Sequence, residues 1–155
     1  MARIVILGAG IGGMSMAYEM REQARAEDKV IVVSNHAFFQ FTPSNPWVAV
    51  NWRSRDDITL EVGPLLEKKG IEFIPVGCKR AHPERNVLEL EDGRELAYDF
   101  LIIATGPKLA FDEVEGLGPK GHTSSVCHVD HAVDAGKAWD EFVKDPGPVV
   151  VGAVQ

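Results

Sequence analysis

Three glycines near the amino end have the spacing of a phosphate-binding turn. They stand in the run Gly8-Ala9-Gly10-Ile11-Gly12-Gly13, which fits the pattern G-x-G-x-x-G. In such a turn the first glycine permits a tight exit from a strand, the second admits a pyrophosphate to the backbone, and the third lets a helix pack closely on the sheet. The helix that follows offers N–H groups and a positive dipole end to the phosphates. We predict that these six residues bind the diphosphate of a dinucleotide.

A thiol is the second candidate for chemistry. Cys127 is followed by His128 and His131. A thiolate is a strong nucleophile, and a protonated histidine beside it favours the thiolate. The alternative is a small buried side chain near the start of a helix, because free cysteine is often buried. Adding His122 to the group suggests a metal site, but the spacing is irregular and solvated loop histidines are the preferred interpretation.

The glycine turn lies between elements that form a βαβ unit. Residues 4–7 are a short apolar run ended by glycine, typical of a strand buried on both faces. A helical pattern follows from Gly12 to about Ala24, and residues 30–33 form a second buried strand. The crossover between the two strands should be right-handed.

The second strand ends in Ser34-Asn35. Dinucleotide-binding units usually carry an acidic residue there, which binds the ribose hydroxyls. Ser34 and Asn35 can both form hydrogen bonds with a ribose, but neither supplies a charged acceptor. This departure argues against NAD and does not exclude FAD.

The remaining pattern predicts an α/β domain with an inserted antiparallel sheet. A long aromatic and proline-rich loop extends from His36 to Asp57. After it we expect a short helix over residues 62–69 and a third parallel strand over residues 71–76. The segment 78–98 has the alternation of an antiparallel insert, with Asp92-Gly93 as its hairpin turn. The apolar run 100–104 predicts a central strand.

The carboxyl-terminal part predicts a helix and the start of a second unit. A glycine-rich loop leads to a helix with Asp130 as its N-cap, extending to about Lys144. Residues 149–151 then look like another first strand. We therefore predict a domain over 1–147 and, over 148–155, the beginning of a truncated second nucleotide-binding domain.

Composition excludes several classes of protein. The chain has 16 basic and 23 acidic residues, a net charge of −7, which argues against nucleic-acid binding. Two cysteines are too few for a disulfide scaffold and match no zinc pattern. We predict no bound metal, no signal peptide and no transmembrane segment in this chain, and a cytoplasmic or peripheral membrane location.

The antiparallel insert and the run Leu101-Ile102-Ile103-Ala104-Thr105-Gly106 resemble the two-dinucleotide-binding flavoproteins. The resemblance covers the whole chain and implies a Rossmann-like FAD/NAD(P)-binding domain that holds FAD. It further implies that the Thr105-Gly106 turn lies near the cofactor and that Gly77-Cys78 contacts the adenine through its backbone, so Cys78 is interpreted as structural.

Longer blocks resemble the sulfide:quinone oxidoreductases. They are Phe39-Gln40-Phe41-Thr42-Pro43-Ser44-Asn45-Pro46-Trp47-Val48-Ala49-Val50, Arg55-Asp56-Asp57-Ile58, Ala104-Thr105-Gly106-Pro107-Lys108-Leu109-Ala110-Phe111, Val126-Cys127-His128-Val129-Asp130-His131-Ala132 and Pro146-Gly147-Pro148.

In that family FAD takes electrons from sulfide and passes them to a membrane quinone, with cysteine persulfides as intermediates. The resemblance implies that Cys127 is the first of the family's three sulfur-handling cysteines. The loop aromatics Phe39, Phe41, Trp47 and Trp52 could line the flavin ring or fill the core. We favour a mixture, in which the Thr42-Pro43-Ser44 backbone lies near the flavin and most of the aromatics serve as packing. Membrane contact is expected only through a missing C-terminal part, an oligomer is possible, and the fragment alone should be inactive.

Three alternatives remain open. The flavoprotein subunit of flavocytochrome c sulfide dehydrogenase usually holds flavin through a cysteine in the aromatic loop, but residues 1–77 contain none, which predicts non-covalent FAD. A type II NADH dehydrogenase is disfavoured by Val154, which occupies a glycine position of the second nucleotide motif. The third alternative is a dinucleotide-binding module without catalysis.

Overall fold

The computed structural model describes residues 1–153. The strands in chain order are β1 (Arg3–Leu7), β2 (Lys29–Val33), β3 (Phe38–Gln40), β4 (Thr59–Glu61), β5 (Glu72–Ile74), β6 (Cys78–His82), β7 (Val87–Leu90), β8 (Glu95–Ala97) and β9 (Phe100–Ile103). The α-helices are α1 (Ile11–Gln23), α2 (Asn45–Ala49), α3 (Val62–Glu67) and α4 (Val129–Phe142). These elements form two compact units. The first comprises Met1–Gln40 and Thr59–Leu109, and the second comprises Phe41–Ile58 and the chain from Ala110 onward.

The first unit is built on a parallel sheet with the strand order β5-β2-β1-β9. β1 lies parallel to β2 from Arg3 opposite Lys29 to Leu7 opposite Val33. β-Branched side chains fill both faces of this pair, and α1 packs on one of them through Met14 and Ala17. The predicted βαβ unit is therefore present. The glycine turn follows β1 directly, and the end of β2 lies beside the end of β1.

A separate three-stranded antiparallel sheet, in the order β6-β7-β8, follows β5. Leu88 and Leu90 of its central strand are almost fully buried, and they share a core cluster with Val5 and Ile31 of the parallel sheet. Gly93 has a φ of 85°, a conformation that glycine adopts without strain in the turn before β8. The predicted α/β class, a Rossmann-like parallel sheet with helices and a three-stranded antiparallel insert, is confirmed.

The prediction that the apolar run 100–104 forms a central strand is wrong for the described part of the chain. There β9 pairs only with β1 and is the edge of the sheet. Phe100 and Ile103 are 62% and 65% exposed. The apolar pattern indicates a preference for burial, but a strand is central in a sheet only when a second strand pairs with its other side.

The second unit is held together by α2 and α4. Its core consists of small and branched side chains, which are Val48, Ala49, Ile58, Val129 and Ala132. The predicted long loop is thus partly regular: a 3-10 turn over Thr42–Ser44 leads into α2, and another spans Asp56–Ile58. Pro46 stands in the first turn of α2, where its missing N–H has no helical partner to lose.

The N-cap of α4 is His128, not Asp130 as predicted. The Nδ1 atom of His128 accepts a hydrogen bond from the Asp130 N–H at 3.4 Å. Asp130 lies inside the first turn, and its carboxylate pairs with the Arg55 guanidinium at 2.7 Å. A carboxylate in the first helical turn is still favoured by the helix dipole, although it does not cap the helix.

Residues 146–153 contain no regular secondary structure. Val150 and Val151 are 94% and 93% exposed. The strand expected at 149–151 is absent because a parallel strand forms only beside a hydrogen-bonding neighbour, and none of the described strands pairs with this segment. Val154 lies outside the described residues, and the predicted boundary at 147 stays a prediction. Within residues 1–153 no helix has the length and apolarity needed to cross a bilayer.

Asp28 fastens the amino end to the beginning of β2. Its buried carboxylate accepts hydrogen bonds from the Ala2 N–H at 2.6 Å and from the Arg25 guanidinium at 3.1 Å. The Ala2 hydrogen bond, assisted by Arg25, lowers the pKa of Asp28 below its usual value of 3.8. A depressed carboxyl pKa stabilises the fold above the unfolded-state pKa, and the contribution is lost as pH falls through the folded-state value.

Replacing Asp28 with asparagine should therefore destabilise the protein most near neutral pH. The difference in unfolding free energy between Asp28→Asn and wild type should shrink below about pH 4, where the unfolded-state carboxyl becomes protonated. Urea titrations at pH 7 and pH 3 measure this difference. Glu27→Gln is the control, because the Glu27 side chain is 56% exposed. A difference independent of pH would refute the assignment.

Candidate functional site

The glycine turn is closed by backbone contacts that exclude side chains. Gly8 has a φ of 112°, and a Cβ there would strike the Ala104 carbonyl oxygen at the end of β9. A Cβ on Gly13 would strike the Gly8 carbonyl oxygen. The Gly8 N–H also donates to Val33 at 2.8 Å. The ends of β1, β2 and β9 and the start of α1 are therefore drawn together around this turn.

Gly10 differs from the other two glycines because it faces open space. Apart from its chain neighbours, no described residue has a heavy atom within 4 Å of a Cβ built on Gly10. Gly10 is the N-cap residue of α1 and has no side chain to satisfy the helical N–H groups, and the first turn contains no acidic residue. N–H groups at a helix start lack helical acceptors and attract anions. The cradle therefore fits a diphosphate, for which the Ile11 and Gly12 N–H groups would be the donors. Ala9, between the first two glycines, is buried.

The Thr105-Gly106 turn leaves β9 beside the same glycines. The Ala104 N–H donates to Leu7 at 2.8 Å, and Thr105 and Gly106 are both exposed. Gly106 has a φ of 74°, which glycine adopts without strain. The structure thus brings this predicted segment next to Gly8, while its contact with a cofactor stays a prediction.

Ser34 and Asn35 differ in their availability to a ribose. Ser34 is 6% exposed, and its Oγ accepts a hydrogen bond from the His36 N–H at 3.1 Å. That bond shapes the local turn, and burial limits the access of a ribose to the hydroxyl. Asn35 is exposed immediately after β2. Asn35 is therefore the better candidate for a ribose contact.

Gly77 and Cys78 form the entry to the antiparallel sheet. A Cβ on Gly77 would strike the Glu91 carboxylate. The backbone N–H of Glu91 donates to the Gly77 carbonyl at 2.9 Å. Cys78 is half-buried, and this burial, reinforced by the charges of Glu91 and Glu89, raises the pKa of its thiol. A protonated thiol is a poor nucleophile, which agrees with a structural role for Cys78.

Thr42, Pro43 and the aromatic segment divide between the two units. Thr42 and Pro43 lie exposed in the 3-10 turn of the second unit. The prediction that most aromatics are packing is wrong: Phe39 is half-buried, but four others are exposed by 41–76%, namely Phe38, Phe41, Trp47 and Trp52. Smaller side chains already fill the core around α2, so the aromatic rings are not needed there.

Cys127 is exposed, which contradicts the alternative of a buried packing residue. Its N–H donates to the Ser125 Oγ at 3.2 Å. The side-chain amide of Asn45 donates to the carbonyl of Val126, the residue just before the thiol, at 2.9 Å. The thiol therefore projects from a loop whose backbone is fixed by two polar side chains.

The histidines near Cys127 do not assemble a metal centre in the described residues. No group of three or more metal-ligating side chains occurs within residues 1–153. The His131 ring lies 5.7 Å from the rings of both Phe111 and His128. Aromatic rings are thus among its neighbours.

Sequence reasoning missed Asn45. It stands in the long aromatic and proline-rich loop predicted over residues 36–57, yet its side chain is completely buried. A buried amide must find hydrogen-bond partners, and its partner here is 81 positions away in the sequence. No local pattern signals such a contact.

Comparison with known proteins identifies the chain's relatives. Residues 2–153 match the family model described as pyridine nucleotide-disulphide oxidoreductase. The sulfide-quinone reductase of Aquifex aeolicus is 37% identical over 97% of this chain and 34% of its own length. The mitochondrial sulfide:quinone oxidoreductase of Dictyostelium discoideum is 30% identical over 98% of this chain and 34% of its own length.

Solved structures give the same result. The X-ray structure of the Aquifex aeolicus sulfide:quinone oxidoreductase matches with a TM-score of 0.89 and 36% identity, over 96% of this chain and 34% of that chain. NDH2 from Plasmodium falciparum shares the fold with a TM-score of 0.74 and 23% identity, over 92% of this chain and 30% of that chain. This chain spans about a third of the length of these relatives. The chain belongs to the pyridine nucleotide-disulphide oxidoreductase family.

Proposed function

We propose that this chain is the FAD-binding part of a sulfide:quinone oxidoreductase. The observation that carries the proposal is the 37% identity to a sulfide-quinone reductase over 97% of the chain. That relative's name gives sulfide as the electron donor and a quinone as the acceptor. The same two compounds are the proposed substrates of the full-length protein.

The glycine turn supports the proposed cofactor. The open approach at Gly10 and the helix start behind it suit the diphosphate of FAD, and Asn35 is available to its ribose. Gly77 and Cys78 would contact the adenine through their backbone. Thr105 and Gly106, together with Thr42 and Pro43, are proposed to contact the flavin half. FAD is proposed to be non-covalent and, when bound, supplies a two-electron acceptor that the quinone can reoxidise.

Cys127 is the proposed sulfur-handling residue of this chain. Its thiol is exposed, as a group must be to meet sulfide. In the overall reaction HS⁻, a quinone and one proton give one sulfur atom at the zero oxidation level and a quinol. Sulfide loses two electrons, which pass to the quinone. Cys127 would hold the resulting sulfur atom as a persulfide. Membrane contact, where the quinone is met, is proposed for other parts of the full-length protein, in a cytoplasmic or peripheral location.

The proposal is tested on the full-length protein by comparing two electron donors on one preparation. Sodium sulfide should drive reduction of a soluble ubiquinone analogue, whereas NADH should not. Denaturation should also release yellow flavin into the supernatant, because the flavin is held without a covalent bond. Rapid reduction by NADH with no response to sulfide would instead select a type II NADH dehydrogenase.

A further inference from the structure

We propose that Asn45 is a positioning residue for the Cys127 thiol. Asn45 fixes the peptide that precedes Cys127 and thereby sets the direction of the thiol toward its substrate. The inference rests on the proposed function, since it assigns a purpose to the geometry around the proposed sulfur-handling residue. It concerns only contacts within the second unit.

The contact itself is well defined. The Asn45 side chain has no exposed surface, and its Nδ2 donates to the Val126 carbonyl at 2.9 Å. An amide is suited to this place because it donates a hydrogen bond without bringing a charge into the interior. An aliphatic residue would leave the carbonyl without this donor, and an ionised carboxylate would oppose it.

The residues at the end of α2 are attached to α4 at a place separate from the Asn45 contact. α2 lies against α4 at Gly136, where a Cβ would come within 2.6 Å of the Asn51 Oδ1 and 3.1 Å of the Val48 carbonyl. The Asn51 Nδ2 donates to the Gly136 carbonyl at 3.1 Å and to the Asp140 carboxylate at 2.7 Å. These contacts attach the residues at the end of α2 to α4, and they are separate from the hydrogen bond between Asn45 and Val126.

The loop around Cys127 is restrained on both sides. Upstream, the Val126 carbonyl is held by Asn45 and the Cys127 N–H is held by the buried Ser125 hydroxyl. Downstream, His128 begins the cap of α4. Cys127 is exposed between these restraints. Such an arrangement limits the directions that the thiol can take while leaving it open to solvent.

The test separates the two half-reactions of the full-length, flavin-loaded protein. Asn45→Ala should slow anaerobic reduction of the flavin by sodium sulfide by about 10- to 100-fold, because a displaced reacting group loses the advantage of its orientation. Reoxidation of the chemically reduced flavin by a soluble quinone should stay within about twofold of wild type, since Cys127 has no part in that half-reaction. Asn45→Ser, whose hydroxyl is too short to reach Val126, should behave in the same way and serves if Asn45→Ala does not fold.

Asn51→Gly is the matched control. It removes the two hydrogen bonds to α4, and glycine tolerates the φ of 58° found at Asn51. This variant should lower the melting temperature and leave both half-reactions unchanged per bound flavin. Sulfide reduction within twofold of wild type in the Asn45 variants, or equal slowing of both half-reactions, would overturn the positioning role. Failure of sulfide to reduce even the wild-type flavin would overturn the proposed function, and the positioning role with it.

Discussion

Replacing Gly10 with valine should weaken FAD binding to the full-length protein by on the order of 100-fold, equivalent to about 2.8 kcal/mol. The reason is the space in front of this residue. Apart from its chain neighbours, no described residue has a heavy atom within 4 Å of a Cβ built on Gly10, so the added methyl groups would occupy the approach proposed for the diphosphate. Fluorescence titration of the apoprotein with FAD measures the affinity. Gly10→Ala, with one methyl group, should give an intermediate loss.

The same open space makes the prediction separable from a folding defect. Because a Cβ at Gly10 meets no described residue beyond its chain neighbours, Gly10→Val should lower the melting temperature of the apoprotein only slightly, through the poorer N-cap that valine makes. Gly13→Ala should lower it sharply, since its Cβ collides with the Gly8 carbonyl. Gly63→Ala is the control, because beyond its own helix and chain neighbours the nearest described atom to its Cβ belongs to the Phe73 ring, at an ordinary contact distance of 3.7 Å. Wild-type FAD affinity in Gly10→Val would remove the turn from the cofactor site.

The first unit could be predicted because its signals are local. Four consecutive β-branched residues predict the strand at residues 30–33, and Asp92-Gly93 predicts the turn before β8. The glycine spacing at Gly8, Gly10 and Gly13 predicts both the sharp corner and the helix after it. In each case the residues that carry the signal are the residues that form the element. The element could therefore be predicted without knowing which distant residues pack against it.

Other features could not be predicted because their causes lie far away in the chain. The apolar run at β9 encodes a preference for burial but does not specify how many strands flank it, and the described sheet ends there. His128 displaced Asp130 as the cap of α4, and the Asp130 carboxylate pairs with Arg55, 75 residues away. Asn45 is buried, and its side-chain amide donates to the Val126 carbonyl, 81 residues away. None of these partners is visible in a local window of sequence.

Cys127→Ser should slow anaerobic reduction of the flavin by sulfide by at least on the order of 100-fold in the full-length protein, because a hydroxyl cannot form a persulfide and is a much weaker nucleophile. The exposed position of the thiol means that serine can replace it without opening a cavity. Flavin content and melting temperature should therefore match those of the wild type. Stopped-flow absorbance of the oxidised flavin measures the rate directly.

Reoxidation of the reduced flavin by a quinone supplies the internal control, because Cys127 should have no part in that half-reaction. Ser124→Ala, at an exposed position in the same loop, should leave both half-reactions unchanged. Sulfide reduction at the wild-type rate in Cys127→Ser would show that the thiol does not handle sulfur. Cys127 would then be an exposed surface residue, and the restraint of its loop by Asn45 and Ser125 would serve only to fix the start of α4.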